Sequence, residues 1–286
     1  MATYQHVDID DIRYPELLRR IPNAPARLYY RGDVSLLMTS AVAVVGARKA
    51  TEYGVNVSYN LAKSLAEHGL TVVSGMAEGI DAWAHKGALA ADGKTVAVLG
   101  CGVDICYPKA HLRLMDDISR YGLIVSELEP GMHATRFTFP MRNRIISGLC
   151  LATVVVEAGI KSGSLITAER AAEQGRHVYA VPGNINKASS LGCNRLIQDG
   201  AMAIATLDDV AMDLGATNDT VAEIRSAQLG IDEKKVYEAL VYNGEMTADE
   251  LCSVTGIKAQ YINGLITVLE MKGLAGTSMG RVFVPR

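Results

Sequence analysis

Aromatic residues are scarce in this 286-residue chain, which has one tryptophan and three phenylalanines. Charge of one sign is missing too: 28 Lys/Arg stand against 31 Asp/Glu, a net of −3. A polyanionic partner would therefore have to be met by a local concentration of basic residues rather than by the field of the whole molecule. Cysteine is sparse and unpaired in pattern: Cys101, Cys106, Cys150, Cys193 and Cys252 form no C-x-x-C motif. That excludes a disulfide framework, and with the dispersed histidines it leaves no expected metal site. No apolar run is long enough to span a bilayer, and no basic-then-apolar leader with a small-residue cleavage site is evident, so a cytoplasmic protein with no membrane partner is expected. Neither G-x-G-x-x-G at the first helix nor G-x4-G-K-[ST] occurs, so no nucleotide cofactor is expected.

What the sequence does have is a large apolar fraction, 49%, enough for a full core. From Ala41 to about Leu214 short β-rich runs alternate with helical patterns, which predicts an α/β fold with a doubly wound parallel sheet covered on both faces. Strands are expected at Ala41–Val45, Leu70–Ser74, Thr95–Leu99, Leu123–Ser126, Ala152–Val156, His177–Val181 and Ala201–Ala205. The first crossover shows the logic: Thr51 caps a helix, Leu61, Ala62, Leu65 and Ala66 form its apolar stripe, and Gly69 ends it. Small and polar residues after Gly215 suggest a linker over 215–230. Beyond it, helices over Lys234–Val241, Ala248–Val254 and Ala259–Met271, the last stopped at Gly273, precede a hairpin within Leu274–Val284 that turns at Ser278-Met279-Gly280. This predicts a small winged-helix domain at 231–286. Residues 1–40 read as a segment packing on the sheet domain at 41–214.

In open parallel sheets ligands bind beyond the carboxyl ends of the strands, so the loops there carry the functional reading. They are rich in small residues: Val45-Gly46-Ala47-Arg48-Lys49, Ser74-Gly75-Met76-Ala77-Glu78-Gly79, Leu99-Gly100-Cys101-Gly102, and Gly159-Ile160-Lys161-Ser162-Gly163-Ser164. Glycine admits close approach of a backbone, and amides at the helix starts favour phosphate oxygens. Each loop alone could be no more than a tight turn. Several on one rim point to a phosphate-bearing ligand.

The segment Arg136-Phe137-Thr138-Phe139-Pro140-Met141-Arg142-Asn143-Arg144 holds three arginines and two of the three phenylalanines. Between Pro130 and Ala168 the sole acidic residue is Glu157. Arginine forks on phosphates and aromatic rings under splayed bases are the means by which proteins hold single strands. The alternative is that the phenylalanines are core and the arginines pair with carboxylates.

These blocks, taken together, resemble the DprA/Smf family over nearly the whole chain. The matching residues are Tyr14-Pro15 with Leu17-Leu18, Ala24-Pro25, Leu28-Tyr29 with Arg31-Gly32, Val45–Arg48, Ser74–Asp81 with Ala84-His85, Tyr107-Pro108, Ser126-Glu127, Phe139–Ile146, Ser162–Ser164 and Val181-Pro182-Gly183. The resemblance implies an extended Rossmann-like core that binds single-stranded DNA without catalysis, dimerises head to head, and helps load RecA in DNA uptake and recombination. By it, Gly46, Ala47 and Arg48 would contact DNA phosphates, and Arg142, Asn143, Arg144, Lys161, Ser162, Gly163 and Ser164 would wall the same groove. The residues themselves add Lys49, Ser74, Gly75, Arg136 and Phe139. Glu78 departs from the family, which has arginine there.

Two other readings compete. A nucleotide hydrolase similar to the LOG-type phosphoribohydrolases would use Glu157 as its acid, although the Pro-Gly-Gly-x-Gly-Thr loop of those enzymes is replaced by Ile160-Lys161-Ser162-Gly163-Ser164. A duplex-binding regulator would act through the winged helix, where Gln260, Tyr261 and Asn263 open the third helix. Residues 231–286 carry six Lys/Arg against seven Asp/Glu, a poor balance for a strong operator binder.

Overall fold

The computed structural model describes residues 5–216, 229–272, 274–278 and 280–284. The chain divides into two compact units, residues 1–217 and 218–286. Most of the expected linker, along with Gly273 and Met279, lies outside the described residues.

The first unit begins with β1 (Gln5–Asp8), α1 (Glu16–Arg19) and β2 (Arg27–Gly32). Its Rossmann half runs β3 (Ala41–Val45), α2 (Glu52–Glu67), β4 (Thr71–Ser74), α3 (Ile80–Ala90), β5 (Thr95–Val98), α4 (Leu112–Tyr121) and β6 (Leu123–Ser126). The return half runs α5 (Thr138–Gly148), β7 (Ala152–Val155), α6 (Ser164–Glu173), β8 (His177–Ala180), α7 (Leu191–Gln198), β9 (Met202–Ala203) and α8 (Asp209–Asp213).

The strands form one sheet in the order β1-β2-β6-β5-β4-β3-β7-β8-β9. From β6 to β9 every pairing is parallel, with Ala43 opposite Val73 on one side and Val45 opposite Val155 on the other. The parallel strands match the expected ones to within a residue at each end, except the last, where Ala201–Ala205 was expected and only Met202–Ala203 pairs. Both faces are covered, which is why β3 is apolar throughout. Val42 and Val44 pack with Leu61, Leu65 and Ala84 of α2 and α3. Ala43 and Val45 turn the other way, toward Ile145, Ile146 and Ala168 of α5 and α6.

Two antiparallel strands at one edge escaped the sequence pattern. Tyr30 of β2 faces Val125 of β6, and β1 then pairs with β2. In β2 only alternate residues, Leu28 and Tyr30, are fully covered, so it lacks the continuous apolar run of the interior strands. Tyr14 is buried, and its hydroxyl donates to the Pro25 carbonyl at 2.7 Å, fastening the loop between these strands.

The order also fixes where the site lies. The chain leaves β3 toward β4, β5 and β6, then returns to place β7 on the other side of β3. The crevice beyond the ends of β3 and β7 is the topological switch point.

The second unit contains α9 (Ile231–Asn243), α10 (Ala248–Thr255), α11 (Ala259–Met271) and the hairpin β10 (Gly276–Ser278) and β11 (Arg281–Phe283). Its own core gathers Val236, Leu240, Leu251, Ile262, Leu269 and Val282. Thr247 and Glu250 cap α10 reciprocally: the Thr247 hydroxyl accepts from the Glu250 amide, and Glu250 accepts from the Thr247 amide at 2.7 Å. Three helices and a hairpin make this the winged helix that the sequence pattern predicts.

Candidate functional site

The loop from β3 to α2 is tied at both flanks. Ala47 donates its amide to the Glu157 carbonyl at 2.7 Å, and its own carbonyl accepts from the Ile80 amide at 3.2 Å. Two glycines make this possible. A Cβ on Gly46 would sit 2.6 Å from the Ile80 side chain, and Gly79, at φ +75°, brings its α-carbon against the Ala47 and Arg48 carbonyls. Arg48 and Lys49 are thus carried exposed on a rigid loop at the switch point.

Arg48 lies over an aromatic ring, its guanidinium carbon 5.1 Å from the Phe139 centroid. Phe139 is half-buried, covering Gly100 after β5 and tilted against Tyr107 at 5.4 Å. Thr138 secures the start of α5 there, its hydroxyl donating to the Gly100 carbonyl at 2.7 Å. On the same segment Arg136 and Phe137 are exposed, with the guanidinium carbon 4.6 Å from the Phe137 centroid.

The other two arginines of the segment face elsewhere. Arg142, grouped with the DNA contacts on the sequence, is 6% exposed and donates to the carbonyls of Gly75, at 2.7 Å, and Val98. A Cβ on Gly75 would collide with this guanidinium, which explains the glycine. Gly75 in turn donates its amide to Asp81 at 3.1 Å. Burial works against charge on both Arg142 and Asp81, lowering the first pKa and raising the second, and each charge offsets part of the other's penalty. Arg142 therefore clamps the ends of β4 and β5 beneath the rim. Arg144 is held by Glu127, with NH2 at 2.6 Å from both carboxylate oxygens.

Small polar residues divide in the same way. Ser74 is fully buried and donates its hydroxyl to the Val44 carbonyl at 2.6 Å. Ser164 is 8% exposed and its hydroxyl lies 2.8 Å from that of Ser162. Lys161 and Gly163 are exposed at this turn, and the Asn143 amide donates to the Gly163 carbonyl at 3.3 Å, joining α5 to it. Nothing within 4 Å of a Cβ on Gly163 demands a glycine.

The structure thus brings Arg48, Lys49, Arg136, Phe139, Lys161 and Ser162 to the accessible rim, with Gly46, Ala47, Ser74, Gly75, Arg142 and Arg144 as its supports. Phe137, 64% exposed, belongs to the segment that the sequence singles out but not to its expected contacts, and Tyr107, 48% exposed, was not among the expected contacts either. Phe137 had a signal in its arginine neighbour. Tyr107 had one only in its Tyr-Pro dipeptide. Glu157, the acid of the hydrolase reading, is 3% exposed and accepts from the Thr51 amide at 2.9 Å and the Thr51 hydroxyl at 3.0 Å. No group of His, Cys, Asp and Glu suited to a metal ion occurs among the described residues. Among them, no helix is long and apolar enough to cross a membrane.

Fold and site together define a Rossmann-type α/β protein whose rim pairs unsatisfied cations with aromatic rings, joined in sequence to a winged-helix unit. The family model for DNA recombination-mediator protein A matches residues 5–215, and the chain belongs to that family. Residues 227–285 match a second model, that of the sugar-specific transcriptional regulator TrmB.

Similar proteins include the DNA processing protein DprA of Streptococcus pneumoniae, 48% identical over 202 residues that cover 71% of each chain. Protein Smf of Escherichia coli is 39% identical over 209 residues, covering 73% of this chain and 56% of that one. The solved structure of the Streptococcus pneumoniae protein superposes with a TM-score of 0.71 at 45% identity, covering 74% of each chain. DNA processing protein A of Helicobacter pylori, whose structure was solved for its unique single-stranded DNA binding mode, superposes with a TM-score of 0.67 at 30% identity. That match covers 74% of this chain and 96% of the other.

Proposed function

We infer that the rim binds single-stranded DNA, with Arg48, Lys49, Arg136 and Lys161 on phosphates and the Phe137 and Phe139 rings beside bases. The observation that carries this reading is Arg48: exposed, on a loop strapped at both flanks, stacked on Phe139, and in no ion pair among the described residues. Phosphate contacts give affinity without sequence preference, and stacking tolerates any base. Membership of the family and the single-strand binding mode of the Helicobacter pylori relative support the same assignment.

The activity is binding rather than catalysis. Arg142, Arg144 and Ser74 are engaged in holding the loops, and Glu157 is turned to Thr51, so the rim presents cations and rings instead of a nucleophile and its base. On family grounds the protein works in the cytoplasm as a homodimer and assists the loading of RecA on the strand. The test is titration of labelled oligo-dT against duplex over a salt series. Preference for the single strand with a steep salt dependence supports the reading, and equal affinity for both at fixed salt contradicts it.

A further inference from the structure

A cavity of 420 Å³ opens beside the rim, on the opposite side of the loop that carries Arg48. Arg48 leans toward Phe139 and the end of β5, whereas Thr51, at the far end of that loop, reaches Glu157 after β7. The cavity is bounded by the first turn of α2, the end of β7 and the loop that follows β8. Its volume lies within the roughly 300–1,000 Å³ of small-molecule sites. A single nucleotide fits such a space, and several do not.

The lining is chemically divided. Glu157 lies at the floor, 3% exposed, with Oε2 taken by Thr51 and Oε1 without a hydrogen-bond partner among the described residues. A buried carboxylate oxygen left unsatisfied costs free energy, and it calls for an N–H or O–H donor. Val156 and Val181 supply apolar wall. Tyr53 stands at the side, 54% exposed, its hydroxyl donating to the Pro182 carbonyl at 3.2 Å so that the ring is fixed in place. Lys187, exposed and in no ion pair among the described residues, lines the cavity along with Thr51 and Glu52 at the start of the 16-residue helix α2. Lys187 and the positive end of α2 favour an anionic group, opposed in part by the Glu52 carboxylate on the same turn and by Glu157, which already takes the Thr51 amide.

We propose that this cavity is a nucleotide site, with a hydroxyl or amino donor of the ligand on Glu157, a base against Tyr53 and a phosphate between Lys187 and the start of α2. A free nucleoside monophosphate and one nucleotide of a DNA strand present this same chemistry. The site does not depend on the rim binding DNA, since it shares with the rim only the loop between them. It also revises the expectation, drawn from missing glycine motifs, that no nucleotide is bound: the recognition here is by a buried carboxylate and a ring at the switch point.

The experiment is calorimetric titration of the full chain with AMP, GMP, CMP and dTMP, and with inorganic phosphate as control. One saturable equivalent of a nucleoside monophosphate is expected, with inorganic phosphate weaker by about tenfold or more. Glu157→Gln, which puts an amide donor where the free acceptor was, and Lys187→Ala should each weaken binding by about tenfold at an unchanged melting temperature. Should Glu157→Gln alter the fold, Lys187→Ala and Tyr53→Ala, both at exposed positions, decide the matter. Arg48→Ala should leave mononucleotide affinity within about twofold; its loss there would place the nucleotide on the rim and overturn the proposal. Absence of saturable binding by all four nucleotides up to about 5 mM, or affinity unchanged in both Glu157→Gln and Lys187→Ala, would overturn it too. Competition then separates the sources. Displacement by linear but not circular single strands assigns the cavity to a strand end, displacement by both to a nucleotide within the strand, and displacement by neither to a free nucleotide.

Discussion

The rim of the sheet and the winged helix both offer basic residues near exposed aromatics, yet they spend their charges differently. In the winged helix Lys272 lies 2.6 Å from Glu233, Lys235 3.3 Å from Asp232 and Lys234 3.8 Å from Glu238, while Arg281 donates to the Glu245 carbonyl, which leaves Lys258 as the one basic side chain there without such a partner among the described residues. On the rim, Arg48, Lys49, Arg136 and Lys161 are exposed and make no ion pair among the described residues. Availability of charge, and not its count, separates a surface suited to phosphate from one that is merely solvated. The rim is also held from beneath, by Arg142 and by glycines that leave no room for a side chain, so its cations are presented with little ordering cost.

Removing that support should produce the largest effect. Arg142→Ala leaves the Gly75 and Val98 carbonyls and the Asp81 carboxyl without their buried partner, and the first unit should lose about 3 kcal/mol or more. Chemical denaturation of this variant should show the first unit weakened and the transition of the winged helix unmoved. A common shift of both would mean that the units are energetically coupled.

At the rim itself Arg48→Ala should cost about 1.5–3 kcal/mol of oligo-dT binding, or about ten- to a hundredfold, and flatten the salt slope. Its melting temperature should stay that of the parent. If stability falls while affinity per folded molecule holds, Arg48 is a structural residue and the comparison fails.

Acid should also distinguish the two units. His85 is fully buried, its Nδ1 2.7 Å from the Thr95 hydroxyl, and burial pushes its pKa down from the usual 6.5 to about 3. Between those values the unfolded chain takes a proton that the folded chain refuses, so stability is full above pH 6.5 and falls as the pH drops. The slope approaches about 1.4 kcal/mol per pH unit. Residues 218–286 contain no histidine. Thermal melts from pH 7 to pH 4.5 should therefore lower the transition of the first unit ahead of that of the second, and His85→Gln should reduce the difference.

A smaller change is expected at Phe137. Its ring is exposed beside Arg136, so Phe137→Ala should leave stability unaltered and weaken oligo-dT by about 1 kcal/mol, the low end for one stacked base. Unchanged affinity would confine stacking to Phe139.

Much of this architecture was legible because parallel strands buried on both faces read as continuous apolar runs, as Ala41–Val45 does. The helices of the winged helix were legible from their period and caps, Thr247 among them. β1 and β2 were not, since β1 is a short edge strand, β2 buries only alternate residues, and the pairing of β2 with β6 is a long-range choice. Within the site, composition picked out the Arg136–Arg144 segment but could not say which way each arginine points. Arg136, just ahead of α5, faces solvent; Arg142 and Arg144 on α5 turn inward, the first to the ends of β4 and β5 and the second to Glu127 after β6, and those partners are distant in sequence. The cavity at Glu157 was not legible either, because its walls come from loops far apart in sequence.

If DNA is held by the rim, removal of the winged helix should matter less than loss of one rim cation. Truncation after Thr217, compared with Arg48→Ala in the same oligo-dT titration, is the test. The truncated chain, still folded by its melting transition, should lose less than about threefold in affinity and keep its salt slope, while Arg48→Ala should lose about tenfold or more. A truncated, folded chain that loses more affinity than Arg48→Ala would place the site in the winged helix instead of the rim.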